Sequence, residues 1–479
     1  MTDDDDRTDI EKAFDRLTGR LGEAFNKIKQ GQLPAAPPAP AADAAPGSNA
    51  AQAFNVDAFF RAVKLNKTAE IQKYIDGGFD LNTYNSAGLT ALHVVARENA
   101  RAAGELLLQN GANPRLPLKD DARNMPLDDA VNFGKHEIVE LLTRYGGYVP
   151  GNTVNGRTLL HRACEKGKPR IVEALIKAGA NANELTENGS TPLLIAIYAR
   201  QAEVANVLLS FPEVVQGVNE FFPQTDPKKR NAFQVAVEHR QSGTVAMMLT
   251  TGSNVNACDA EGLSPLHHAV LAGDAALVKT LLQHGADLNK TENSQPTPLF
   301  LACESPLLND DQTRAHIVTL LLQAGADPDI TDAKSGMTPL HASLRTDGAQ
   351  AAARALLQYP ISKDATDKDG NTPLFYALQA PGTDLLAMML AAGADPNTRH
   401  MKDARTPLMD AVQRDNPVAV RLLLQAGANA KLLDADHKSA LSYARAKNND
   451  IILLSLEEAL GRVTHKAAKP KNNFKEFDL

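Results

Sequence analysis

The sequence predicts an all-α solenoid of stacked helix-turn-helix units, and three observations predict it. A Thr-Pro-Leu string recurs at a near-constant step, apolar blocks at helical spacing follow each copy, and a Gly-Ala-Asp/Asn step closes the unit. The string stands at Thr191-Pro192-Leu193, Thr297-Pro298-Leu299, Thr338-Pro339-Leu340, Thr372-Pro373-Leu374 and Thr406-Pro407-Leu408, with Ser264-Pro265-Leu266 close behind. With degenerate copies included, the apolar anchors fall at 59, 92, 127, 160, 193, 233, 266, 299, 340, 374, 408 and 441, a modal step of 33.

Each element of the unit has a local cause. Thr or Ser before Pro supplies an N-cap oxygen, and Pro occupies the first helical position, where its missing N–H costs nothing. A short first helix follows, as in Pro265–Ala272, stopping near Gly273. A second helix carries an apolar block such as Leu277, Val278, Leu281 and Leu282. Gly285 then offers a residue able to take positive φ, and polar residues lead to the next Thr-Pro. Helices of about eight to ten residues are too short to persist alone, because nucleation is costly. Small residues three after the Leu (Ala196, Ala269, Ala302, Ala377, Ala411) let neighbours approach, so stability is a sum over units and their interfaces.

The pattern resembles the ankyrin repeat family, whose unit opens its first helix with Thr-Pro-Leu-His-x-Ala. The resemblance runs from about Val56 to Gly461. It implies a stack with hairpin-loop fingers and a concave surface made by the first helices, and a binding role through both. The motif His is kept at His93, His161, His267 and His341, and becomes Asp128, Leu194, Gln234, Phe300, Phe375, Met409 or Ser442 elsewhere. The departures predict a broken hydrogen-bond chain with local apolar repacking. The second of the pair His267-His268 is expected on the concave side.

Four segments are expected: residues 1–30, an acidic start and amphipathic helix; 31–53, a Pro/Ala-rich flexible linker; 56–461, the ankyrin solenoid; 462–479, a basic disordered tail. The helix rests on Ile10, Phe14, Leu17, Leu21, Phe25 and Ile28, which share one face. Self-association or docking on a partner through residues 10–28 is favoured over a membrane surface, because the polar face is mixed in sign. Two steps are long. Between 193 and 233 the extra residues are expected to lengthen a finger, and between 299 and 340 to fall between the two helices.

Composition sets the outer limits. Of 479 residues, 43% are hydrophobic and 22% charged, which excludes wholesale disorder, and the net charge of −7 argues against a surface that tracks phosphates throughout. Nucleic acid is therefore disfavoured as a partner, although the tail is basic. Three Cys cannot build a disulfide framework, and with no signal peptide or transmembrane run readable, a cytoplasmic protein is expected.

No nucleotide loop, clustered metal ligands or catalytic constellation is readable, so the expectation is no enzyme, no cofactor and no metal. Cys164, Cys258 and Cys303 sit in different units, and His161, three residues before Cys164, occupies the motif's structural place. What the resemblance implies instead is a set of surface positions: Arg97, Glu98, Arg123, Phe133, Arg157, Glu165, Lys166, Tyr198, Arg345, Arg405, Gln413, Arg414 and Lys447. Phe221 and Phe222, beside Lys228-Lys229-Arg230, join them on the lengthened finger. Arg, Tyr and Phe are types enriched in interface hot spots. The expected function is a non-enzymatic protein–protein interaction scaffold or adaptor; the alternative is an exported or regulatory ankyrin effector acting on a host or cellular protein.

Overall fold

In the computed structural model the described residues are 54–119, 123–151, 153–154, 156–220, 226–308 and 310–461. The segment 10–28, the linker, Phe221, Phe222 and the tail lie outside them. The described chain forms two compact units. One extends to Asp129 and includes Glu140–Tyr148; the other holds Ala130–Val139 and everything from Val149 onward.

The first helix pairs are α1 (Val56–Lys64) with α2 (Thr68–Asp76), α3 (Ala91–Glu98) with α4 (Arg101–Gln109), and α5 (Pro126–Asn132) with α6 (His136–Arg144). A two-stranded antiparallel ribbon, β1 (Thr153–Val154) and β2 (Arg157–Thr158), precedes α7 (Leu159–Glu165) and α8 (Pro169–Lys177). Next come α9 (Pro192–Tyr198), α10 (Ala202–Leu209) and an extra helix α11 (Pro212–Gly217). The pairs α12 (Ala232–Glu238) with α13 (Ser242–Thr250), and α14 (Pro265–Ala272) with α15 (Ala275–Gln283), follow. Then stand α16 (Pro298–Glu304) with α17 (Asp311–Gln323), and α18 (Pro339–Arg345) with α19 (Gln350–Leu356). The last are α20 (Pro373–Ala377) with α21 (Asp384–Ala391), α22 (Pro407–Gln413) with α23 (Pro417–Gln425), and α24 (Ala440–Lys447) with α25 (Asp450–Ala459).

The predicted grammar is present in bonds. Thr191 Oγ1 accepts the Leu194 N–H at 3.2 Å and Thr297 Oγ1 the Phe300 N–H at 3.2 Å, with Pro next in each case. Such a cap is worth about 1 kcal/mol. The stop glycine works as expected: Gly285 has φ +81°, so the Ala286 N–H turns back to the Leu281 carbonyl at 3.1 Å. First helices pack on first helices (α9, α12, α14, α16, α18 in order) and second on second, giving two layers in the larger unit. Leu266, Ala269, Leu277, Val278 and Leu281 are fully buried between them, and each buried Leu or Val contributes about 1.5–3 kcal/mol.

The Asp/Asn step does more than stop a helix. Its side chain accepts the N–H two residues on, and the Asn or Asp reached there accepts an N–H from the following repeat. Asn113 N bonds Asn82 Oδ1 at 2.8 Å, Asp287 N bonds Asn256 Oδ1 at 2.8 Å, and Asn429 N bonds Asn397 Oδ1 at 2.7 Å. Adjacent finger bases are thereby joined.

The two long steps resolve differently. Between 299 and 340 the extra residues do fall between α16 and α17. Between 193 and 233 they do not only lengthen a finger, because residues 212–217 form α11, with Val214 and Val218 buried. Pro212 at the first helical position and two Val at i, i+4 spacing extend the second-helix layer before the finger begins.

Candidate functional site

The site is built from the first helices and the fingers that precede them. The motif His is a structural clamp. His267 Nδ1 accepts the Ser264 N–H at 3.0 Å and hydroxyl at 2.7 Å, leaving Nε2–H to donate to the Pro296 carbonyl of the next finger at 3.0 Å. His93, His161 and His341 make the same bonds to Asn124, Glu184 and Asn371 carbonyls. Burial lowers the proton affinity of all four, His267 to a pKa of about 4, so they are neutral imidazoles. Gln234 does not break the chain as expected. Its Oε1 accepts the Asn231 N–H at 2.9 Å and its amide donates to the Ala257 carbonyl at 2.7 Å, reproducing the imidazole's two roles. Leu194, Phe300, Phe375 and Met409, all buried, are the apolar replacements.

In five repeats the finger base is latched to its helix through an aspartate, in two ways. Asp259 Oδ1 accepts the Glu261 and Leu263 N–H groups at 2.9 Å, closing the turn, and its Oδ2 accepts from His268 Nε2 at 3.0 Å. His268 is thus buried against its own finger and does not point to open concave surface as expected, because the Asp259 carboxylate lies nine residues back. Tyr376 and Tyr443 replace it four residues after the cap and donate to Asp367 (2.6 Å) and Asp434. Burial opposes ionisation of these aspartates, but the bonds they accept outweigh it and hold all three carboxyls below the usual range. In other repeats an arginine just before the cap makes the latch. Arg230 Nε bonds Asp226 at 2.6 Å and its Nη1 pairs with Glu238; Arg157 pairs with Glu165 at 2.7 Å; Arg405 joins Asp403 and Gln413.

Several of the expected surface residues are therefore brought together by bonds within the chain. Arg157 meets Glu165, Arg405 meets Gln413, and Lys166 Nζ donates to the Asn132 carbonyl at 3.0 Å. Arg97 Nε pairs with the buried Asp129 carboxylate at 2.6 Å, Glu98 with Lys64, and Arg345 with Glu304. Phe133, Tyr198, Arg414 and Lys447 lie exposed on the first helices or just past them, and Arg123 is exposed before α5. Phe221 and Phe222 are outside the described residues.

Two stretches of open surface in the larger unit differ in chemistry. Between the repeats at 372 and 406 lies a polar cleft of about 310 Å³, lined by Phe375, Gln379, His400, Arg405, Asp410 and Arg414. Asp410 sits between two guanidiniums there, 3.2 Å from Arg405 and 3.6 Å from Arg414. Across the repeats at 191, 231 and 264 the surface carries an aromatic pair and apolar side chains, with exposed Glu238, paired to Arg230, in the same row. Tyr198, 45% exposed, meets His239 edge-on with ring centroids 5.4 Å apart, and Ala199, Leu271 and Ala272 are half-buried alongside.

The remaining reactive groups are quiet. Cys164 and Cys303 are buried, and burial raises both thiols, Cys303 to about 12. Both ring nitrogens of His161 are committed to Thr158 and Glu184, so none is left to activate Cys164. Half-buried Cys258 is pushed up to about 12 by burial and then by Glu292. Among the described residues no three His, Cys, Asp or Glu side chains converge as a metal site, and no helix is long and apolar enough to cross a membrane.

Comparison with known proteins agrees with this architecture. A family model for ankyrin repeats (three copies) matches residues 59–151, 127–217, 233–332, 309–400 and 382–461. Rabankyrin-5 of Mus musculus is 30% identical over 221 residues, which cover 43% of this chain and 18% of that protein. The B-cell lymphoma 3 protein homolog of Mus musculus is 29% identical over 222 residues, 45% of this chain and 48% of that one. The chain therefore spans less than half the length of either relative. The human ASB11 ankyrin repeat domain, a crystal structure, matches with 24% identity and a TM-score of 0.39, covering 50% of this chain and 100% of that domain. With family matches spread over most of its length, the chain belongs to the ankyrin repeat family.

Proposed function

We propose that the protein is a non-enzymatic, cytoplasmic scaffold or adaptor that binds a protein partner through its fingers and first-helix ends. Repeats of this family are in general protein–protein interaction modules. The observation that carries the reading is the latching of finger after finger by Asp226, Asp259, Asp367, Asp403 and Asp434. A surface whose loops are already fixed loses little conformational entropy on binding, so even modest contacts leave a net affinity. Tyr198, left open beside those latches, is of a type enriched in interface hot spots. Residues 10–28 add a second contact, self-association or docking on a partner.

Affinity capture with cross-linking on the full chain tests this. The expected result is one protein enriched over an unrelated repeat protein, with cross-links to finger or first-helix residues and from residues 10–28 to that partner or to a second copy. Recovery of no protein above the control overturns the reading.

A further inference from the structure

The Tyr198–His239 surface has features that its neighbours lack. In eight of the repeats the chain turns from first to second helix in the left-handed region nine residues after the cap position. Gly134, Gly167 and Gly273 take that turn with φ between +64° and +68°, and Asn99, Asp415 and Asn448 take it elsewhere. In the two adjacent repeats at 191 and 231 the residue is an arginine, Arg200 (φ +56°) and Arg240 (φ +57°). Left-handed backbone is routine for Gly, Asn and Asp but costly for a long side chain, and strain of this kind concentrates at functional positions.

Both arginines are exposed. Arg240 donates to the Ala272 carbonyl, which holds its head beside Leu271 and Ala272, whereas the Arg200 side chain has no hydrogen-bond or ion-pair partner among the described residues. On the finger edge of the same repeats Lys229 is exposed, again with left-handed backbone (φ +52°) and no side-chain partner among the described residues. Of the carboxylates close by, Asp226 and Glu238 are taken by Arg230 and Glu261 by Lys228. Arg200 and Arg230 both face His239: after burial, their charges lower its proton affinity. A chain of net charge −7 thus carries here three cations, Arg200, Arg240 and Lys229, with no ion pair among the described residues, beside the Tyr198–His239 ring pair.

We infer that the surface of the repeats at 191, 231 and 264 receives an acidic peptide segment of the partner protein, its carboxylates opposite Arg200, Arg240 and Lys229 and an apolar side chain seated on Tyr198, His239 and Leu271. The inference rests on the proposed binding role and gives it a location and a chemistry. Charge complementarity selects the segment and speeds its encounter, and the buried apolar anchor sets how long it stays.

The test is a fluorescence-anisotropy titration of the full chain with two labelled synthetic peptides, one alternating Glu with Leu and Phe, the other carrying Lys at every Glu position. The acidic peptide is expected to bind at least about tenfold more tightly, and to weaken about fivefold or more between 50 and 300 mM salt. Arg200→Glu alone, which removes no bond from the fold, is expected to weaken it about tenfold. Tyr198→Ala is expected to weaken it about fivefold, and Arg421→Ala, at an exposed position on the second helix α23, to leave it unchanged. Equal binding of the two peptides, insensitivity to Arg200→Glu, or loss with Arg421→Ala instead overturns the inference. A captured protein cross-linked to other repeats would overturn it while leaving the scaffold reading intact, and recovery of no protein at all would remove both.

Discussion

The repeats at 264 and 297 are neighbours of the same design, yet they hold together by opposite means. In the first, a polar relay passes from Ser264 through His267 to the Pro296 carbonyl, and helix α14 ends at Gly273 one residue before Asp274 caps α15. In the second, Phe300 fills the His place with no polar atom, and six residues separate α16 from α17. That insertion strands the last carbonyls of α16, and one cation answers them. Arg314, 2% exposed, donates through Nη1 to the Ala302 and Cys303 carbonyls at 2.9 and 3.1 Å. Its Nη2 donates to Ser305 at 2.9 Å and to Leu308. A positive head at a helix C-terminus meets both the unpaired oxygens and the negative end of the helix dipole. The difference teaches that the stack does not require a particular residue: where spacing is regular a neutral imidazole or an apolar side chain such as Phe375 or Met409 serves, and where the chain between the helices is longer a buried guanidinium satisfies the stranded carbonyls.

Breaking the second junction gives the largest effect. Arg314→Met keeps the volume and leaves four buried carbonyls short of a donor, so a loss of about 3–5 kcal/mol is expected in urea denaturation. Because each repeat leans on its neighbours, hydrogen exchange should accelerate first in residues 298–323. Arg314→Lys, with one compact head, cannot reach all four oxygens and should lie in between. A Met variant as stable as the parent would mean that the loop is held by something else.

Acid separates the two junctions next. His267 is neutral when folded and its pKa is lowered from 6.5 to about 4, chiefly by burial, so unfolding takes up a proton in that interval. The junction's contribution is full above about pH 6.5 and is lost as the pH falls toward 4, by about 2 kcal/mol between pH 7 and pH 5. The Phe300 junction has no such group. Repeat-resolved hydrogen exchange at pH 7 and pH 5 should therefore show residues 264–285 opening while 298–323 change little. His267→Phe should remove most of the difference, and uniform acceleration across both repeats would contradict the assignment.

Much of this was legible in the sequence, and the part that was not has a physical cause. Caps, Pro positions, stop glycines and the buried Leu/Ala layer depend on contacts within a dozen residues, so a regular string exposes them. Gln234 was misread because its amide resembles imidazole only when both of its ends find partners, the Asn231 N–H behind and the Ala257 carbonyl ahead. His268 was misread because the helix face alone points it outward, and the Asp259 carboxylate that draws it in belongs to the finger. Arg314 carried no signal at all, since its four acceptors are backbone atoms. The surface residues were visible as types, but whether Arg157 or Arg405 is open or already paired depends on Glu165 or Asp403 and Gln413 reaching them in space.

The finest test concerns the latch inside the regular repeat. Asp259→Asn keeps one oxygen for the Glu261 and Leu263 N–H groups, but the amide that replaces Oδ2 presents N–H groups toward His268 Nε2. The imidazole can then turn acceptor only by moving its proton to Nδ1, so the turn should survive while the latch weakens. The expected loss is about 1 kcal/mol, measured by urea denaturation. Hydrogen exchange at 259–263 should rise without a change at 298–323. The same substitution at Asp367 should cost no more, because the Tyr376 hydroxyl can rotate to accept as readily as it donates. An equal or larger loss at Asp367 would show that the turn, rather than the His268 contact, carries the stability of the finger.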